Sequence, residues 1–271
     1  MLLRFLYHTV LGRRILKILI NPTLSEYCGR FLDSKVSAIL IPFFVKKNKI
    51  NLLECKEEVY DSFNACFGRK ICPEYRPIPK DENILISPCD GLLSAYPIHK
   101  NLVVPVKESY YRISDLLQDK ELTQEFEGGT CLVFRLCVNH YHRYCYPDSG
   151  SKSENIFIPG VLHTVRPIAL REYPVFTENC REYTVLDTDH FGKMVQMEVG
   201  AMLVGKICNY HGATEIERGR EKGRFLYGGS TIILLAKKDC VSFSKRLFHS
   251  TGQGKEIAVK MGQKIGIRKG I

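Results

Sequence analysis

Between Met1 and Ile20 apolar residues cover most of a helical circumference, and Arg13 and Arg14 precede Lys17 at the spacings that gather charges on one side. The pattern predicts an amphipathic helix. A second apolar run, Val36 to Val45, has no charge but contains Pro42. Neither approaches the run of about 20 apolar residues that a spanning helix needs, so both are expected to lie in a membrane interface with the basic cluster near anionic headgroups. The alternative is that they are ordinary helices packed on a core. From Asn51 to Arg69, Leu53, Tyr60, Phe63 and Phe67 sit at roughly helical spacing, predicting a helix or two before the proline-rich connector Pro73 to Pro79.

Beyond that connector the pattern changes to short β-like runs: Ile84 to Ile86, Leu92 to Tyr96, Leu102 to Val106, Thr130 to Val138, Tyr183 to Leu186, Met194 to Val199, Ala201 to Cys208 and Thr231 to Ala236. Asp187 to Gly192 reads as a hairpin connection, Ser114 to Gln118 as a brief helix capped by Ser114, and the basic tail Lys255 to Lys269 as a solvated end. The expected fold is α+β, with N-terminal membrane-associated helices over residues 1–72 and a mainly β, barrel- or sandwich-like domain over 73–271.

A formal charge of +10 implies an anionic partner. With no Trp and no nucleic-acid-binding signature, a nucleic acid is the least favoured of these. Eleven cysteines without a C-x-x-C pair argue against a disulfide framework and a structural zinc site, and fit a reducing compartment. No small-residue cleavage site of a secretory signal follows the first apolar stretch.

Three segments carry candidate chemistry. In Phe225-Leu226-Tyr227-Gly228-Gly229-Ser230-Thr231 two glycines interrupt a strand-like run. They read either as a β-bulge or as a strained turn in which Ser230 Oγ reaches the preceding carbonyl, an attack that would need a neighbouring base. Ser87-Pro88-Cys89-Asp90-Gly91 places an acid after an apolar run, either as turn chemistry or as a catalytic carboxylate. In His140-Tyr141-His142-Arg143-Tyr144-Cys145, residues 140 and 142 share a face if extended, while 145 points the other way, which disfavours a metal site.

Taken in order, Ser87-Pro88-Cys89-Asp90-Gly91, Tyr141-His142-Arg143 and Gly228-Gly229-Ser230-Thr231 resemble the signature set of phosphatidylserine decarboxylases, in particular the short clostridial type. Ser62 to Arg69, Phe176 to Arg181 and Val199 to Gly205 extend the likeness over most of the chain. The resemblance implies self-cleavage between Gly229 and Ser230 into a beta chain, 1–229, and an alpha chain, 230–271. Ser230 would become a pyruvoyl group that forms a Schiff base with the serine headgroup, with Asp90 and a histidine completing the relay for cleavage. His142 matches the family's Tyr-His-Arg histidine. Cys145 stands where many members have a second histidine, and His140 where an acid usually precedes the tyrosine, so His163 is expected to supply the missing imidazole.

The implied partners are phosphatidylserine and an anionic phospholipid membrane, met peripherally at the cytoplasmic side of the cell membrane; a homodimer is compatible with the sequence. Two rivals remain: an uncleaved basic lipid-binding module, and a pyruvoyl decarboxylase of a soluble amino acid.

Overall fold

The computed structural model describes residues 2–57, 59–99, 103–106, 109–201, 206–226, 228 and 230–270. Continuous apolar runs make the interior strands, because a strand covered on both faces needs no polar side. Ser230–Ala236 is buried at every position. It lies between Gly192–Val199 and Thr130–Leu136 in a nine-stranded antiparallel sheet. Outward from Thr130–Leu136 come Gly91–Pro97 and Ile257–Val259; outward from Gly192–Val199 come Arg181–Thr188, Gly150–Lys152 and Thr214–Ile216. Two three-stranded sheets, Ile84–Ile86 with Lys264–Arg268 and Val241–Phe243, and Lys206–Asn209 with Glu221–Leu226 and Arg143–Cys145, complete a mixed α/β fold that is mainly antiparallel.

The N-terminal apolar stretch is two helices, Leu2–His8 and Val10–Leu19. Thr9 divides them: its extended backbone and its Oγ1, which accepts the Gly12 N–H, start the second helix. A further helix, Pro22–Asp33, has Asn21 as its cap and proline in its first turn. The run around Pro42 becomes a 3-10 turn, Lys35–Leu40, and a helix, Ile41–Asn48. None of the helices, among the described residues, is long and apolar enough to cross a membrane. Leu6, Tyr7, Leu16 and Ile20 pack into the same core as the large sheet, while Leu32, Phe44, Phe63 and Phe67 form a second small cluster.

Other expectations need correction. The tail 255–269 is woven into the fold: Ile257–Val259 pairs with Gly91–Pro97, and Lys264–Arg268 lies between two other strands. The brief helix is Ile113–Leu117, preceded by Arg112 without a side-chain cap, so Ser114 is inside it. Of the run 201–208, the strand is Lys206–Asn209; Ala201 lies outside it and 202–205 outside the described residues. Leu102 is likewise outside them, next to the strand Val103–Val106.

One ion pair is sealed inside. Lys222 Nζ lies 2.6 Å from Glu198 Oε2, both side chains are inaccessible to solvent, and Asn209 bonds to both. Burial pushes the Glu198 carboxyl up, against the pull of Lys222. Such a pair adds little over apolar packing, but stranding one partner is expensive. Lys222→Met is therefore expected to lose about 3–5 kcal/mol of stability in urea titrations, and adding Glu198→Leu to recover most of it. A single variant as stable as the parent would show that no charge is held there.

Candidate active site

Ser230 is the first residue of the innermost strand, paired with Leu136 on one side, while its neighbour Thr231 pairs with Val199 on the other. It is fully buried, and Oγ has no hydrogen-bond partner among the described residues. Gly229, the other half of the expected cleavage bond, and Tyr227 lie outside the described residues. Gly228 has φ of 112°, a conformation that a side chain would resist.

His142 is brought to this turn by the strand pairing: the Phe225 N–H donates to the His142 carbonyl at 2.9 Å. Its ring is fully buried and lies 4.2 Å, centroid to centroid, from Phe67. Nδ1 is 2.9 Å from the carbonyl oxygen of His140. A carbonyl only accepts, so in the neutral ring Nδ1 carries the hydrogen and Nε2 keeps the lone pair. Nε2 has no partner of good geometry among the described residues, although the Gly228 backbone is near enough to act weakly on the ring. Burial holds the imidazole down at about 3, against weaker upward pulls from the His140 and Gly228 backbone. The ring is thus a neutral acceptor at physiological pH.

Asp90 is 7 % exposed and engaged by an arginine. Arg76 grips both carboxylate oxygens, Nε at 2.8 Å and Nη2 at 2.6 Å, and the Met261 N–H donates to Oδ1 at 2.9 Å. No imidazole hydrogen-bonds to Asp90 among the described residues, but its negative charge raises the His140 pKa against the lowering by burial. His140 Nδ1 accepts the Cys137 N–H at 3.1 Å. Cys145 is buried, its thiol pushed up to about 12 by desolvation, so it stays protonated and cannot act as an imidazole would.

His163 occupies a different corner. Its ring stacks on Tyr173 with centroids 4.4 Å apart, Nδ1 is 3.3 Å from the Tyr7 hydroxyl, and Nε2 is 3.3 Å from Glu178 Oε2. Burial lowers its pKa to about 4. The connection to the reaction strand is indirect: Asn179 accepts the His163 N–H and donates to the carbonyls of His163 and Gly200, just past Val199. The structure therefore joins His142 to the turn before Ser230, and leaves His163 and Asp90 each with other partners. Sequence reading missed Arg76 and the pair Glu198–Lys222. An acid among the apolar residues of Met194 to Val199 was the available signal for Glu198; nothing in the proline-rich connector marked Arg76 as the partner of Asp90.

The pattern of the phosphatidylserine decarboxylase family matches residues 63–267. The phosphatidylserine decarboxylase proenzyme 2 of Clostridium acetobutylicum is 44% identical over 265 residues, covering 97% of this chain and 91% of the relative. The phosphatidylserine decarboxylase proenzymes of Clostridium perfringens and Ruminiclostridium cellulolyticum are 40% and 41% identical, over 96% and 98% of this chain and 90% of each relative.

The two most strongly depressed histidines, His142 and His163, fix a pH dependence. Unfolded, each imidazole binds a proton below about 6.5; folded, His142 and His163 do so only near 3 and 4. The unfolded chain thus holds more protons between these limits, and the stability present above pH 6.5 is lost as pH falls toward 4. Urea midpoints measured from pH 7 to 4.5 should fall, with each His→Gln variant flattening the slope by up to about 1.4 kcal/mol per pH unit. An unchanged slope would mean that the ring is protonated in the folded state.

Proposed function

From a chain that belongs to the phosphatidylserine decarboxylase family, and so converts phosphatidylserine to phosphatidylethanolamine and carbon dioxide, we infer that Ser230 is the residue that cleaves the chain and becomes its pyruvoyl group. The observation that carries this is the pair of buried polar atoms without partners among the described residues, Ser230 Oγ, two residues beyond Gly228, and Nε2 of His142, whose ring the Gly228 backbone acts on. His142 Nε2 takes the hydroxyl proton, and Oγ attacks the Gly229 carbonyl, so that an ester replaces the amide. Loss of the Ser230 Cα proton then expels the segment 1–229 as a carboxylate. Addition of water to the remaining dehydroalanine releases ammonia and leaves a ketone at residue 230. That ketone supplies the electron sink for loss of CO2 from the serine headgroup. An imidazole this hard to protonate returns a borrowed proton readily, which suits delivery to the substrate Cα.

On this reading one imidazole, His142, serves both steps. Asp90 acts through its charge and its tie to Met261, and His163 positions the Gly200 turn. The N-terminal helices meet the membrane: Leu2, Val10, Leu11, Ile18, Val36, Ile39 and Phe43 are each more than half exposed, beside Arg13, Arg14 and Lys17. A peripheral site on an anionic, cytoplasmic surface fits a substrate that is itself an anionic lipid.

Intact mass decides the central point. The purified protein is expected as two chains, 1–229 and a carbonyl-bearing 230–271, with Ser230→Ala and His142→Gln uncut and His163→Gln cut. One uncut chain throughout would favour the uncleaved lipid-binding module. Separately, Leu11→Asp with Ile18→Asp is expected to weaken co-sedimentation with anionic vesicles at least about tenfold while leaving cleavage intact, through lost apolar insertion. Equal binding would remove the helices from the membrane contact.

A further inference from the structure

We propose that Arg69 binds the phosphodiester of the lipid headgroup, a role that rests on the substrate assigned above. Three arginines near the site could meet an anion by charge alone, and their hydrogen bonds separate them. Arg135 is spent on Glu256, through Nε and Nη2, and on the Cys137 sulfur through Nη1. Arg143 is spent on Glu221, Tyr210 and the carbonyls of Gly68 and Arg69. Arg69 differs. It is 4% exposed, Nη2 donates to the carbonyls of Asn139 and His140 at 3.2 and 3.3 Å, and neither Nε nor Nη1 has a partner among the described residues.

A buried guanidinium with three unused N–H donors is costly unless an acceptor arrives. The carbonyls that fix it belong to the turn that carries His142, so an anion bound there lies beside the imidazole that handles the protons. The positive charge of Arg69 is felt by that ring, whose pKa it helps to lower after burial and weaker than it. Arg69 follows the helix Phe63–Phe67, and Asn64 of that helix forms part of the wall of a cavity of about 550 Å³. The cavity opens between the helix Pro22–Asp33 and Leu226 at the end of the strand that leads to Ser230, and its wall holds the cations Arg30 and Lys206 together with the acids Glu26, bonded to Arg30, and Asp33, bonded to Asn64. The Asn64 side-chain oxygen and Arg224 Nε also lack partners among the described residues, and Arg224 lies against Gly68, next to Arg69. The approach from the helices is therefore polar and carries both signs of charge, as the headgroup itself does with its ammonium, carboxylate and phosphodiester.

The phosphodiester is favoured over the carboxylate by the chemistry. A fixed cation on the carboxylate would stabilise the charge that must be lost as CO2 leaves, slowing the reaction. The phosphodiester keeps its charge from start to finish, so holding it lowers KM without impeding kcat.

The test uses the mature enzyme with short-chain phosphatidylserine in mixed micelles, and glycerophosphoethanolamine as an inhibitor that has the phosphodiester but no carboxylate. Arg69→Gln is expected to raise KM about 10- to 100-fold and to weaken the inhibitor by the same factor, with kcat within about threefold. A raised KM with unchanged inhibition would assign Arg69 to the carboxylate and overturn the proposal. So would an unchanged KM, or a fall in kcat alone accompanied by a shifted pH profile, which would leave Arg69 acting only on His142. If Arg69→Gln stays uncut, Arg69→Lys carries the measurement, and a KM within about twofold of the parent overturns the proposal. An inactive parent enzyme would refute the substrate reading itself, whereas an active parent with these negative results refutes only the role of Arg69.

Discussion

The strand Ser230–Ala236 is closed off from water by a neighbour on each edge and by side chains on both faces, and this desolvation governs the groups around its first residue. It strips the Ser230 hydroxyl and His142 Nε2 of solvent partners and keeps the imidazole neutral. Water would compete for both atoms and would hydrolyse an ester formed by Ser230 Oγ with the preceding carbonyl. A buried sheet end is thus a suitable place for a serine to attack its own chain, since the strand fixes the hydroxyl while the glycine turn lets the preceding backbone bend toward it.

Arginines organise the shell outside that dry centre. Arg76 holds Asp90, Arg143 ties the strand Arg143–Cys145 to the backbone at 68 and 69, and Arg181, buried and, among the described residues, without a carboxylate partner, donates to the carbonyls of Asp115, Leu116, Thr177 and Asn179. Planar, multiply donating heads of this kind lock loops that have no regular structure of their own. The small aromatic cluster of Phe44, Phe63 and Phe67 extends the support from the N-terminal helices to the His142 ring.

Much of this was legible where burial leaves a continuous mark. Ile84–Ile86 is matched residue for residue, and Met194 to Val199 and Thr231 to Ala236 fall inside the observed strands, because a short, mostly apolar run in the interior has few other uses. The tail was misread because Ile257–Val259 and Lys264–Arg268 are short, bear lysine or arginine around them, and expose part of each strand. The single N-terminal helix was misread for a local reason, since the cap at Thr9 outweighed the continuing apolar pattern. At the site, the serine, the Asp-Gly turn and the Tyr-His-Arg run were visible as motifs, but the partner of Asp90 was not. Arg76 reaches it across a loop, and long-range ion pairing has no period in sequence.

The interlaced tail changes what unfolding means for the protein. With the chain severed at 229, the segment 230–271 would stay in place through Ser230–Ala236, Ile257–Val259 and Lys264–Arg268, strands that pair, among the described residues, with partners earlier in the sequence or with Val241–Phe243 of the same segment. Two separate molecules would then share one core, and recovering it after denaturation would become a second-order encounter between fragments, slower the more dilute they are. The precursor folds as one chain and can repeat the trial. The processed form gets one such folding, and its working lifetime is set by how slowly the sheet opens.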